Sequence, residues 1–169
     1  MRQTGILPDE HIAALFSKGA LASARSLDAD QIQPASLDLR LSEKAYRVRA
    51  SFLPGPDSLV ADKLDRLKLH EIDLTQGAVL ETGCVYIVPL LETLALPADV
   101  SASANPKSST GRLDIFTRVM TDRGGEFDKI AAGYHGPLYM EVSPRTFPIV
   151  ARTGSRLSQI RFRTGNALL

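Results

Sequence analysis

From Glu71 onward the chain is a succession of short β-prone runs cut by turn residues, and this texture limits the fold more than any other feature. The runs are Ile72 to Leu74, Ala78 to Leu80, Cys84 to Leu90, Leu94 to Leu96, Leu113 to Met120, Leu138 to Val142, Phe147 to Ala151 and Gln159 to Phe162. Strands this short and this regularly spaced predict a closed or sandwiched β structure, with residues 71–163 forming its main part.

The first third of the chain is mixed. Pro8-Asp9-Glu10 followed by Ile12, Ala13, Leu15 and Phe16, and stopped by Gly19, predicts a short amphipathic helix over 9–18, acidic in its first turn. Gln33 to Leu41 sets Leu37, Leu39 and Leu41 against Ser36, Asp38 and Arg40, the period of a half-buried strand. Pro54-Gly55-Pro56 breaks the chain, and Leu59, Val60, Leu64 and Leu67 predict a second helix over 57–67. With 169 residues, 44% of them hydrophobic, and no internal repeat, residues 1–169 read as one domain.

Composition narrows the function classes. Lys plus Arg number 20 and Asp plus Glu 19, so no general field draws nucleic acid or an anionic membrane, and any anion must be bound locally. The N-terminus carries no apolar leader and no run approaches a membrane span, which predicts a cytoplasmic protein. One cysteine, Cys84, rules out an intrachain disulfide and Cys-x-x-Cys zinc patterns, and its apolar neighbours mark it as a small buried strand residue. The histidines (His11, His70, His135) are far apart in sequence, so no transition-metal site is expected.

Three segments carry chemistry. In Asn105 to Leu113, Lys107 and Arg112 offer cationic donors, Ser108, Ser109 and Thr110 offer hydroxyls, and Gly111 permits close backbone approach, a plausible phosphate cradle without Walker order. Composition alone favours an ordinary polar loop at these positions. Glu141 lies on a predicted strand, sharing its face with Tyr139 and Ser143 while Leu138, Met140 and Val142 take the other. In a cleft such a carboxylate suits proton exchange near neutral pH; on an open face it is a solvated strand residue, and the pattern alone leaves both open. Gly133-Tyr134-His135-Gly136-Pro137 reads as the turn entering that strand.

Gln33-Pro34-Ala35-Ser36-Leu37-Asp38-Leu39-Arg40-Leu41, Lys107 to Leu113, Ala132 to Glu141 and Gly154 to Ile160 occur in this order. Together these blocks resemble the dCTP deaminase and dUTPase superfamily, and its deaminase branch more closely. The resemblance implies a mainly β, distorted jelly-roll barrel of the dUTPase-like type with two short peripheral helices. It also implies trimers, or a pseudo-trimeric assembly with a second barrel domain, with nucleotide sites between subunits and Mg2+ held through the triphosphate. Carried over by position, Ser108 and Arg112 order the water and the cytosine ring. Glu141 shuttles protons in attack at C4, Lys107 and Ser109 contact phosphates with Gln159 near them, and Tyr134 lines the nucleotide site. The implied reaction is zinc-independent deamination of dCTP to dUTP and ammonia. The alternatives are a noncatalytic nucleotide-binding or assembly barrel and a dUTP pyrophosphatase.

Two departures stand out. The superfamily's aspartate two residues before the Gly-Tyr/Trp-x-Gly turn is Ala131 here, which argues against pyrophosphatase chemistry and leaves Asp122 or Asp128 to hold the sugar. Nothing after Phe162 resembles the C-terminal lid of the superfamily, and the apolar end at Ala167-Leu168-Leu169 suggests cover by a partner or further chain. The first half of a double-length deaminase, or a diverged barrel with little activity, would both lack that lid.

Overall fold

The computed structural model of the chain describes residues 4–165, so the apolar end, expected to be covered by a partner or further chain, lies outside the described residues. In chain order the elements begin with β1 (Gly5–Ile6), α1 (Asp9–Ser17), β2 (Leu21–Ser23), β3 (Ile32–Gln33), β4 (Ser36–Arg40) and β5 (Lys44–Val48). There follow α2 (Val60–Leu67), β6 (Lys68–Asp73), β7 (Ala78–Leu80), β8 (Val85–Ala95), β9 (Val100–Pro106) and α3 (Ser108–Arg112). The chain continues through β10 (Ile115–Thr121), β11 (Lys129–Ile130), β12 (His135–Pro144), β13 (Ile149–Ala151) and β14 (Arg156–Thr164).

Two antiparallel sheets face each other. One runs β11-β9-β14-β4-β3 with β1 on β14, the other β10-β12-β8-β5-β6 with β2 on β8, and β13 pairs β7 separately. Between them lies the main core: Leu37 and Leu39, Ala102 and Ala104, Ile160 and Phe162 from the first sheet meet Val88, Leu90, Val119, Met140 and Val142 from the second. The architecture is a distorted jelly roll with unclosed sheets, mainly β as the sequence predicts.

A second, smaller core sits on the outer face of the second sheet. Val60 and Leu64 of α2 pack there on Val48, Ile87 and Met120, with Tyr46, Phe52, Phe127 and Tyr139 around them. This cluster places the site, because it covers the face of β12 that carries Glu141.

The structure differs from the sequence expectations in several places; the runs Cys84 to Leu90 and Leu94 to Leu96 join in one strand, β8, and β9 is a strand not expected from the sequence. The helix predicted over 57–67 starts at Val60, where Asp122 Oδ1 accepts the Val60 N–H at 2.9 Å from 62 residues away. A third helix, α3, forms where a loop was expected: it has no apolar period, and Thr110, its buried residue, anchors it by donating to the Leu157 carbonyl at 2.8 Å. β4 is buried on both faces rather than half-buried, because its polar side meets charges of opposite sign instead of water. Cys84 is half-buried and lies just before β8 rather than within it.

Candidate active site

Alternation along β12 puts Tyr139, Glu141 and Ser143 on the outer face of the second sheet. Pairing then sets the neighbours: Glu141 stands opposite Arg118 of β10 on one side and Ile87 of β8 on the other, and Ile87 in turn faces Tyr46 of β5. Glu141 is 2% exposed, so its charge needs partners within the protein. Arg118 supplies them, with Nε at 3.0 Å and Nη2 at 2.9 Å from Oε2. The Ser51 hydroxyl, from the loop between β5 and α2, donates to Oε1 and accepts from Arg118 Nη2 at 2.8 Å. The guanidinium lies 3.6 Å from the Phe127 ring centroid and 4.8 Å from that of Phe116, an arrangement that adds cation–π attraction to the ion pair. Ser143, on the same face, is buried with no hydrogen-bond partner for its hydroxyl among the described residues.

Ser108, Ser109 and Arg112 are exposed on α3, and among the described residues none of the three makes a side-chain hydrogen bond. They do not meet Glu141 within the chain. Arg112 lies before the start of β10, and Ile115 to Arg118 alone is about 10 Å of strand at ordinary rise. Lys107 pairs with Asp38, a residue 1% exposed, which also takes Arg156 Nη1 at 3.4 Å. Arg156 Nη2 reaches Asp30 at 2.7 Å and Asp28 at 2.8 Å. These bonds hold the Arg156 guanidinium well above its ordinary range, despite partial desolvation, and hold the Asp30 carboxyl below its own. Gln159 stands between Asp38 and Asn105 in register on the first sheet, so of the residues read as phosphate contacts it lies beside the Lys107–Asp38 pair, where the cation is already matched by a carboxylate, while Ser109 sits on α3.

The turn before β12 lines a cavity of about 750 Å³ together with Asp122, Arg123, Lys129, Ala131 and His135. Tyr134 is its organiser. Its hydroxyl donates to the Pro137 carbonyl at 2.7 Å and accepts the Asp122 N–H at 3.0 Å, and burial pushes the phenol up to about 12. Gly136 is required beside it: φ is 154°, and a Cβ there would fall 2.8 Å from the Tyr134 hydroxyl. Of the two aspartates offered as replacements at Ala131, Asp122 lines this cavity with Ala131 and Asp128 does not.

Asp128 instead turns inward, its Oδ1 accepting the Val119 N–H at 2.8 Å with φ at 62°. Burial raises its carboxyl above the usual range; the Val119 bond and Arg118 oppose this, and Glu141 adds to it. A raised carboxylate contributes stability while protonated, and that contribution is lost as pH climbs from its unfolded value through the raised one. Asp128→Asn keeps an acceptor for Val119 and suits a left-handed backbone. Melting temperature followed across roughly pH 4 to 7 is expected to fall less with rising pH in Asp128→Asn than in the parent; an equal fall in both contradicts the assignment.

Sequence reasoning missed Ser51, Arg118 and Phe127. Arg118 is visible as one cation inside an apolar run, but only the β10–β12 register shows that it faces Glu141. Among the described residues no three His, Cys, Asp or Glu side chains converge as a metal cage, and no helix is long and apolar enough to cross a membrane.

Residues 3–166 match the family model described as the 2'-deoxycytidine 5'-triphosphate deaminase (DCD) N-terminal domain. A dCTP deaminase of Halorubrum lacusprofundi is 31% identical over 160 residues, 93% of this chain and 76% of the relative. A dCTP deaminase, dUMP-forming, of Beutenbergia cavernae is 30% identical over 158 residues, 93% of this chain and 78% of the relative. The crystal structure of 2'-deoxycytidine 5'-triphosphate deaminase from Agrobacterium tumefaciens superposes with a TM-score of 0.96 at 76% identity, covering 99% of this chain and 50% of that one. The chain thus spans half the length of that solved relative. EIAV dUTPase, at 12% identity and a TM-score of 0.50 over 89% of this chain and 91% of its own, shares the fold. A family match across nearly the whole chain, two relatives at 30% identity or above and a near-superposable deaminase together establish that the chain belongs to the dCTP deaminase family.

Proposed function

We propose that this barrel takes part in the hydrolytic deamination of dCTP to dUTP and ammonia, without zinc, in a cytoplasmic nucleotide pool. Glu141 is the observation that carries the reading: a carboxylate 2% exposed, held in one orientation by a guanidinium and a hydroxyl. Such a group can take a proton from water as its oxygen bonds to C4 of the pyrimidine, while the C4=N3 electrons move to N3. Water's two protons end on N3 and on the departing amine, C4 becomes a carbonyl, and Glu141 returns to a carboxylate. Deaminases that use zinc obtain hydroxide from the metal; here the base and fixed donors share that work.

Ser108 and Arg112 are exposed and have no side-chain partner among the described residues, which supports their serving a site completed by a second barrel, either another copy or a further domain, in a trimeric or pseudo-trimeric assembly. In this reading Asp122 and Tyr134 hold the sugar end from the cavity beside Ala131, and Lys107, Ser109 and Gln159 take phosphate. Magnesium arrives on the triphosphate oxygens, in keeping with its preference for few protein ligands.

One observation favours a second reading, a noncatalytic nucleotide-binding or assembly barrel: Lys107 and Arg156 are already paired with Asp38, Asp28 and Asp30. A single assay of the full-length protein with dCTP and with dUTP, following ammonia and pyrophosphate together, separates the possibilities. Ammonia from dCTP without pyrophosphate is the expected result. Ammonia with pyrophosphate means a dUMP-forming enzyme, pyrophosphate from dUTP alone means a pyrophosphatase, and binding without either product means the assembly barrel.

A further inference from the structure

We propose that Arg118 and Ser51 are positioning residues for Glu141, dividing its two oxygens into one that is anchored and one that reacts; this rests on the deaminase reading above. Arg118 Nε donates to Oε2 at 3.0 Å while Nη2, in ion-pair contact with the same oxygen at 2.9 Å, donates to Ser51, whose hydroxyl donates to Oε1, so guanidinium and hydroxyl together hold the carboxylate at both oxygens. Among the described residues Oε1 meets only the Ser51 hydroxyl, leaving a lone pair for a proton from water. Ser51 accepts from Arg118 and donates to Glu141, so its remaining lone pair can accept a hydrogen bond from that same water. The grip is itself supported: Phe127 and Phe116 flank the guanidinium. Two loops converge here, residues 49–59 through Ser51 and residues 122–128 through Phe127, so the carboxylate is aimed by segments distant in sequence.

The test is steady-state deamination of dCTP by the full-length protein and its Arg118→Ala variant, with and without millimolar guanidinium chloride, and with tetramethylammonium chloride as the salt control. Loss of aim at this distance is expected to lower kcat about 100-fold. KM should stay within about threefold, since Arg118 acts through Glu141 rather than on the nucleotide. Guanidinium, which can sit on Phe127 and grip Oε2, should restore at least about a tenth of the lost rate, and tetramethylammonium, which has no donors, should restore none. Restoration by guanidinium alone supports the assignment. An active parent with an unimpaired Arg118→Ala variant, or a loss that neither cation repairs, overturns it while leaving the deaminase reading intact. A parent that releases no ammonia fails the deaminase reading, and the assignment falls with it. Where Arg118→Ala does not fold, Ser51→Ala is read in the same assay: about a tenfold loss in kcat at unchanged KM supports the arrangement, and no loss overturns it.

Discussion

Replacing Glu92 with alanine is expected to cost about 3 kcal/mol of folding stability or more, because it takes from the buried Arg40 its nearest counter-charge and leaves only the longer contact to the half-exposed Asp28. Both side chains are buried, with Arg40 Nε 2.9 Å from Glu92 Oε1 and the Arg40 backbone N–H 3.1 Å from Oε2. The guanidinium is otherwise fully committed: Nη1 donates to the Ser26 carbonyl at 2.8 Å and to Asp28 Oδ1 at 3.4 Å, and Nη2 to Ser23 Oγ at 2.7 Å and the Arg25 carbonyl at 3.2 Å. Gln31 ties the same carboxylate to the backbone of β4, donating to Glu92 and to the Asp38 carbonyl. Removing Glu92 therefore leaves a buried cation that cannot turn to water without releasing residues 23–28. For a domain of this size a loss of about 3 kcal/mol corresponds to a fall of about 6–12 °C in melting temperature. Arg40→Met combined with Glu92→Leu removes both charges and is expected to cost less than Glu92→Ala alone. Thermal unfolding of the three proteins checks this; a double variant no more stable than Glu92→Ala would mean that the network matters for packing rather than for charge.

The largest expected effect on activity is that of Glu141→Gln. Glutamine keeps the shape and can still accept from Arg118, but it cannot take a proton from water, so kcat for ammonia release should fall about 1,000-fold or more. Binding of dCTP should persist, because no charge on Glu141 is needed to hold the nucleotide. Calorimetric titration with dCTP beside the rate measurement checks both halves. Equal losses in rate and affinity would make Glu141 a structural carboxylate.

Much of this is legible in the residues. Alternation of Leu138, Met140 and Val142 with Tyr139, Glu141 and Ser143 assigns the two faces of β12 from residue order alone, and the ordered motif blocks point to the family. Elsewhere local patterns fail for physical reasons. Asp38 and Arg40 look like a solvent face because period cannot reveal that Glu92, 52 residues after Arg40, supplies a buried counter-charge. Helix α3 has no apolar stripe, so its existence depends on the tertiary bond from Thr110 to Leu157. The partners of Glu141 come from a loop 90 residues upstream and a strand 23 residues away, separations at which only pairing geometry carries information. The grouping of Ser108 and Arg112 with Glu141 rests on the resemblance alone, and within one chain the two stay apart from it.

Turnover of dCTP in 18O-labelled water by the full-length protein tests the central claim most directly, with nucleotide products read by mass spectrometry and ammonia counted in parallel. The expected result is one labelled oxygen in the pyrimidine ring for each ammonia released, lost together when Glu141 is replaced by glutamine. Label confined to phosphate, or label in the ring at an undiminished rate in Glu141→Gln, would contradict it.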